Sequence, residues 1–112
     1  MALRDRLAAK AAPFLQPDDV VQQAFRARML LSGTQLAKST FVVVGTQDAV
    51  VILKTSIWST TKPKELVARV PKTAPISLER SGRWSRLRVG DRLLRIAGRA
   101  THDQAEQLVN AS

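Results

Sequence analysis

The residues richest in chemistry lie between positions 82 and 99, GRWSRLRVGDRLLRIAGR, where six arginines accompany a single acid, Asp91. Side chains alternate between the two faces of a β-strand, so Trp84, Arg86 and Arg88 are predicted to share one face. Guanidinium groups gathered in this way suit phosphate and carboxylate groups. The stretch is therefore a candidate surface for an anionic partner.

A neighbouring strand is predicted to add a third cation. The Gly90-Asp91 pair is typical of a tight hairpin turn, which places Arg95 beside the others. Two interpretations are open: an anion-binding group, or the solvated outer face of a hairpin. In the second, Trp84 lies under arginine side chains, and Glu79 and Asp91 partly neutralise them. An outward tryptophan ringed by arginine is typical of membrane interfaces and of base stacking.

A second basic group is predicted around a polar loop at positions 57–65. This group consists of Lys54, Lys62 and Lys64, and Trp58 lies on the loop itself. Such a loop could enter a lipid head-group layer, each lysine contributing about 1 kcal/mol near an anionic surface. The alternative is that Trp58 folds back onto the core.

Residue types that carry catalysis are sparse. The single histidine, His102, is expected to be a solvated or capping neighbour at the start of the last helix, and there are no cysteines. The nine acids are scattered, so neither a metal cluster nor an acid–base pair is indicated. No glycine-rich phosphate loop follows a strand into a helix. We expect a non-enzyme that holds no metal and needs no cofactor.

Length and charge narrow the class of protein. The chain has 112 residues and a net charge of +9, with twelve arginines and six lysines. That balance favours lipid head groups, nucleic acid or acidic proteins as partners, although biased codon usage alone would favour arginine over lysine. No apolar run approaches the ~18 residues of a membrane span, and no secretory signal is recognisable. We expect a cytoplasmic protein, peripheral at the membrane if lipids are its partner.

The first fifteen residues are predicted to form an N-terminal amphipathic helix ahead of a domain spanning 16–112. Leu3, Leu7, Ala11 and Phe14 fall on one face of a helix at 1–12, opposite basic residues, and Pro13 ends it. This face either docks on the domain or lies on a membrane surface.

The rest of the chain predicts seven short strands and a closing helix. Alternating or β-branched runs occur near 21–31, 41–46, 49–56, 66–70, 76–80, 83–89 and 92–97. The pair at 41–56 is apolar on both faces, which predicts a central position. In the closing helix, 101–112, Thr101 and Gln104 form a capping-box pattern.

Seven antiparallel strands followed by one helix is the chain order of the pleckstrin-homology (PH) superfold. The segments RDRLAAKAAPFLQPDDVVQQAF, FVVVGTQDAVVIL and TKPKELVARVPKTAPI, with the W…L.VG…L.I hairpin, resemble small actinobacterial proteins with a PH-like or GRAM-like domain. The resemblance implies a mainly β (α+β) fold. The fold it implies is a PH-like, seven-stranded antiparallel, partly open barrel of two near-orthogonal sheets, capped by the C-terminal helix, with an extra N-terminal helix.

PH domains that bind phosphoinositides use basic residues on and around the loop between their first two strands. Here that loop offers only Lys38, with Arg26 and Arg28 before it and Lys54 after it. The second strand, 41–46, has no basic residue, so the family's phosphoinositide motif is absent.

The resemblance implies a non-catalytic binding module. Its partner is expected to be anionic lipid head groups or a protein, met through the basic loops and the arginine hairpin. Two alternatives stay open: a β-barrel that binds single-stranded nucleic acid, and a regulatory subunit that takes a peptide beside an exposed strand edge. Nucleic acid is less favoured, because the chain has two tryptophans, three phenylalanines and no tyrosine for stacking.

Overall fold

Two helices flank a run of antiparallel strands in the computed structural model, which describes residues 3–32, 35–36, 40–55, 63–81 and 84–110. The helices are α1 (Leu3–Ala11), followed by a 3-10 turn (Ala12–Phe14), and α2 (Arg99–Asn110). The strands are β1 (Gln23–Ser32), β2 (Gln35–Leu36), β3 (Phe41–Gly45), β4 (Ala49–Thr55), β5 (Pro63–Pro71), β6 (Ile76–Ser81), β7 (Trp84–Val89) and β8 (Arg92–Ala97). The seven predicted strands and both helices are present, and the short β2 is an addition.

All strand pairs are antiparallel, and the order across the sheet is β5-β4-β3-β1-β8-β7-β6, with β2 paired to β1. The strand β1 joins the two halves, because it pairs with β3 over residues 23–27 and with β8 at Arg28 and Met29. The mainly β class is confirmed. The strands form one sheet rather than two, and over the described ranges β5 and β6 do not pair, so the sheet is open.

The sheet has a core on each face. One core joins Phe25, Val43 and Ile52 to the hairpin β7–β8 and to Ala105 and Leu108 of α2. The other lies under α1 and contains Leu7, Ala11, Ala24, Val42, Val44, Val51 and Leu53. The central position predicted for β3 and β4 is therefore confirmed, since every residue of β3 is buried.

The N-terminal helix docks on the domain. Leu7 and Ala11 are completely buried against the second core, and Phe14 packs beside them half-buried. The apolar face that would enter a membrane is thus covered by the protein's own sheet. The side chain of Leu3 lies outside the described residues.

An ion pair holds the segment after α1 against the sheet. Arg69 of β5 donates two hydrogen bonds to the carboxylate of Asp19, both at 2.8 Å. The Asp19 side chain is 1% exposed, so this pair is largely withdrawn from water. It fixes residues 16–20 at the outer edge of the sheet.

Three local predictions were wrong. The closing helix begins at Arg99 rather than Thr101, and no capping box forms, because Gln104 Oε1 accepts a hydrogen bond from the Ala24 amide at 3.0 Å. Lys64 lies in β5 rather than in a loop. The rest of the predicted loop, with Trp58 and Lys62, falls outside the described residues.

Candidate anion-binding face

Three arginines stand in one line across three neighbouring strands. The β-sheet register places Arg86 of β7 opposite Arg95 of β8, and Arg95 opposite Arg28 of β1. Residues that face each other across antiparallel strands share a face and have Cβ atoms about 5 Å apart. We call Arg28, Arg86 and Arg95 the arginine row. The face is the one opposite the α2 core, because the alternate residues Leu87 and Leu94 are fully buried in that core.

Trp84 lies beside the row and engages two of its members. The guanidinium carbon of Arg95 is 4.4 Å from the centroid of the indole ring, and that of Arg86 is 5.8 Å away. Both distances are within the range of a cation–π interaction. The tryptophan therefore supports the arginine side chains, as the hairpin interpretation predicted, and its ring is already occupied by protein groups.

Within the described chain, the acids expected to neutralise the hairpin form no ion pair with Arg86 or Arg95. Glu79 of β6 stands opposite Arg86 in the sheet register, and Asp91 lies in the hairpin turn. The Nε of Arg86 is buried without a hydrogen-bond partner. Like charges placed directly opposite destabilise a sheet, so this arrangement favours an external anion.

A cleft adjoins the row between β1 and β8. The two strands pair only at Arg28 and Met29, so among the described residues those of β1 before Arg28 are not paired with β8. The opening has a volume of about 350 Å³. Its charged and hydroxyl-bearing lining residues are Arg26, Arg28, Arg95, Thr40 and Thr101. We call it the arginine cleft, and no acid is among the described residues that line it.

The second basic group lies elsewhere. Lys54 follows the register line Ala27–Phe41–Lys54 on the opposite face of the sheet, and its Nζ is 3.8 Å from Glu65. Lys64 is exposed on the edge strand β5. Lys38 and Lys62 lie outside the described residues. Lys54 therefore does not extend the arginine row, whereas Arg88, exposed two residues after Arg86, shares the row's face.

The histidine, expected to be a solvated or capping neighbour, has a side chain that is 17% exposed and is held by two contacts. Its Nδ1 is 2.8 Å from Ser85 Oγ, and its Nε2 is 3.5 Å from Glu106. The three line a second cavity of about 390 Å³ together with Arg80 and Arg99. Ser85 is only 4% exposed, and the hydrogen bond joins β7 to α2, so it clamps the helix to the sheet. No local pattern signals a contact across 17 residues.

Within the ranges that the structure describes, no cluster of three metal-ligating side chains occurs. No helix there has the length and apolar content to cross a bilayer. Compared with protein-family models, with curated proteins and with solved structures, the chain matches none.

Proposed function

We propose that this protein is a non-catalytic, PH-like binding module that docks on an anionic membrane surface through the arginine row. The observation that carries the proposal is the register line Arg86–Arg95–Arg28 on the sheet face that α2 does not cover. Support for the PH-like part is the succession of seven antiparallel strands and one helix that packs Ala105 and Leu108 into the core.

The charge distribution suits a layer of lipid phosphates. A net charge of +9 attracts the protein to an anionic surface. Once there, three guanidinium groups at strand spacing form a line about 10 Å long. Lipids diffuse and can place their phosphates along that line, whereas a protein partner would need acids fixed at the same spacing. Each arginine near the surface contributes about 1 kcal/mol.

Docking relies on electrostatic contacts and not on the insertion of apolar side chains into the bilayer. Trp84 is held by Arg86 and Arg95, and Leu7 of α1 is buried in the sheet core. Neither apolar group is therefore available to enter the bilayer. The engaged Trp84 ring also weakens the nucleic-acid alternative, which needs free aromatic faces for base stacking.

The experiment is co-sedimentation with vesicles of neutral lipid, with and without phosphatidylglycerol, over a range of salt. Binding is expected to require the anionic lipid and to weaken as salt rises. The variant Arg86→Gln/Arg95→Gln is expected to lose roughly tenfold or more in affinity, since two surface cations are removed.

A matched control removes the same charge elsewhere. Lys64→Gln/Arg99→Gln changes two exposed cations outside β1, β7 and β8. It is expected to bind nearly as the parent does. An equal loss in both variants would show that net charge alone drives binding and would contradict the arginine row as the site. No vesicle binding at all would retire the membrane proposal, with a protein partner as the next candidate.

A further inference from the structure

We infer that the second cavity, between α2 and the strands β6 and β7, binds a small zwitterion, namely a free α-amino acid with an apolar side chain. Arg80 and Ser85 stand opposite each other in the sheet register, and Ser85 shares the α2 face of the sheet with its alternate neighbour Leu87. A membrane docked on the arginine row would meet the other face, so the ligand is expected to come from solution. The inference therefore goes beyond the proposed membrane docking and does not depend on it.

The lining of this cavity carries charges of both signs. Its cations are Arg80 of β6 and Arg99 at the start of α2, and its acids are Asp103 and Glu106 of α2. The two acids are three residues apart, so they lie on one face of the helix. This helix face would repel a purely anionic ligand, and Arg80 would repel a purely cationic one. A ligand with one charge of each sign is attracted by both.

The charged groups of the lining are little used by the protein itself. Among the described residues, no ion pair engages Arg80, Arg99 or Asp103. Glu106 makes one contact, at 3.5 Å from His102 Nε2, and its side chain is 59% exposed. A carboxylate and an ammonium group can therefore reach these side chains without first breaking a strong internal ion pair. Each would then form charge-assisted hydrogen bonds, which are stronger than neutral ones.

A row of contacts joins the positive and negative ends of the cavity. Arg80 is the cross-strand neighbour of Ser85, with Cβ atoms about 5 Å apart. Ser85 Oγ is 2.8 Å from His102 Nδ1, and His102 Nε2 is 3.5 Å from Glu106. Arg80 on the sheet and Glu106 on the helix therefore stand at the two ends of this row. Ser85, 4% exposed, and the His102 side chain, 17% exposed, form the floor between them.

The apolar part of the lining comes from Trp84 and Ile96. Ligand pockets combine such apolar walls with a few placed polar groups, and a volume of about 390 Å³ is at the small end of that class. The cavity therefore suits a ligand of amino-acid size. We expect its carboxylate to meet Arg80 and its ammonium group to meet Glu106, with the apolar side chain against Trp84 and Ile96.

The test compares three ligands that differ in their charged groups. Leucine, leucinamide and N-acetyl-leucine are titrated without lipid into the isotopically labelled full chain, with chemical shifts followed at Ser85, His102 and the Trp84 indole. Leucine is expected to bind about tenfold more tightly than leucinamide, which lacks the carboxylate, and than N-acetyl-leucine, which lacks the ammonium group. A factor of that size is within the reach of one charge-assisted hydrogen bond. Equal affinities for the three ligands, or no saturable shifts, would overturn the inference.

Two variants examine the two ends of the cavity separately. Arg80→Gln is expected to lose the preference for leucine over leucinamide and to keep the preference over N-acetyl-leucine. Glu106→Gln is expected to do the reverse. The matched controls are Lys64→Gln and Glu65→Gln on β5, and the Glu65 side chain is likewise 59% exposed. Both controls should keep both preferences.

Thermal unfolding by circular dichroism verifies that each variant is folded. A folded Arg80→Gln/Glu106→Gln variant that still prefers leucine over both analogues would overturn the inference. Because no lipid is present, saturable leucine binding would stand even if no vesicle binds. Vesicle binding without leucine binding would refute this inference and leave the membrane proposal intact.

Discussion

Arg86 on β7 and Arg95 on β8 stand directly opposite each other, and both guanidinium groups lie over the ring of Trp84. The pair combines a repulsion with two cation–π contacts, each of order 1 kcal/mol or less on an exposed sheet. These effects nearly cancel in the folded protein. We therefore expect the pair to contribute more to anion binding than to stability.

A change at Arg95 is therefore expected to weaken vesicle binding and to leave the free energy of unfolding nearly unchanged. Arg95→Gln removes the 4.4 Å contact with Trp84 and also relieves the repulsion from Arg86. The free energy of unfolding in urea is expected to change by less than about 0.5 kcal/mol, because the two effects oppose each other. Anionic-vesicle binding by the same variant is expected to fall several-fold. A large loss of stability with unchanged binding would assign Arg95 a purely structural role.

The buried ion pair Asp19–Arg69 is expected to matter more to stability than any surface pair. Asp19→Asn removes the carboxylate that Arg69 binds at 2.8 Å and leaves Asp48, 3.5 Å away, as its remaining acid, at a cost of about 2 kcal/mol of unfolding free energy. The exposed pair Lys54–Glu65, at 3.8 Å, is the control, and Glu65→Gln is expected to cost well under about 1 kcal/mol. Similar losses at the two sites would contradict the burial argument.

The same ion pair predicts a dependence of stability on pH. The hydrogen bonds from Arg69 lower the pKa of Asp19 below its ordinary value, against an opposing effect of burial. A carboxyl whose folded-state pKa is depressed stabilises the fold above its unfolded pKa of about 3.9. That contribution is lost as pH falls from there through the folded pKa. Urea titrations across this acid range should show a shallower decline for Asp19→Asn than for the parent.

Gly45 is expected to accept a side chain only at a cost, for reasons of space. A Cβ there would collide with the Gln23 side-chain oxygen and lie 2.8 Å from a methyl of Leu108 on α2. Gly45→Ala should cost about 2 kcal/mol by overpacking. Gly90→Ala is the comparison, because that site is open but has φ of +61°, so its cost of about 1 kcal/mol is conformational. Thermal melts of both variants measure the difference, and a neutral Gly45→Ala would contradict the close approach of α2.

The hydrogen bond between Ser85 and His102 is expected to couple β7 to α2. A double-mutant cycle of Ser85→Ala and His102→Ala should give a coupling energy of about 1 kcal/mol, as expected for one largely buried hydrogen bond. Unfolding in urea supplies the four free energies. Additive losses would show that the two side chains act independently.

The N-terminal helix is expected to be a stabilising part of the fold. Leu7 is fully buried, so Leu7→Ala should cost about 3 kcal/mol, as other large-to-small core substitutions do. The exposed Ala9→Ser on the same helix is the control and should cost well under about 1 kcal/mol. If Leu7→Ala left stability unchanged but weakened vesicle binding, α1 would be a membrane helix after all.

Sequence patterns were sufficient wherever neighbours along the chain set the structure. The period of two around Leu87 put Trp84, Arg86 and Arg88 on the outer face, because burial of every second residue turns the others outward. The Gly90-Asp91 turn then set the register that pairs Arg86 with Arg95. Two of the three arginines of the row, with Trp84 beside them, were therefore predictable without coordinates.

Only the tertiary structure decided which distant residues complete the site. Arg28 joins the row because β1 pairs with β8, a contact between strands more than 60 residues apart in the sequence. A long-range contact also replaces the capping box. Gln104 accepts a hydrogen bond from the Ala24 amide, 80 residues away, and does not bond the end of its own helix. Local patterns carry no information on such pairings, because the best partner for a donor or a strand edge depends on how all the buried surfaces pack together.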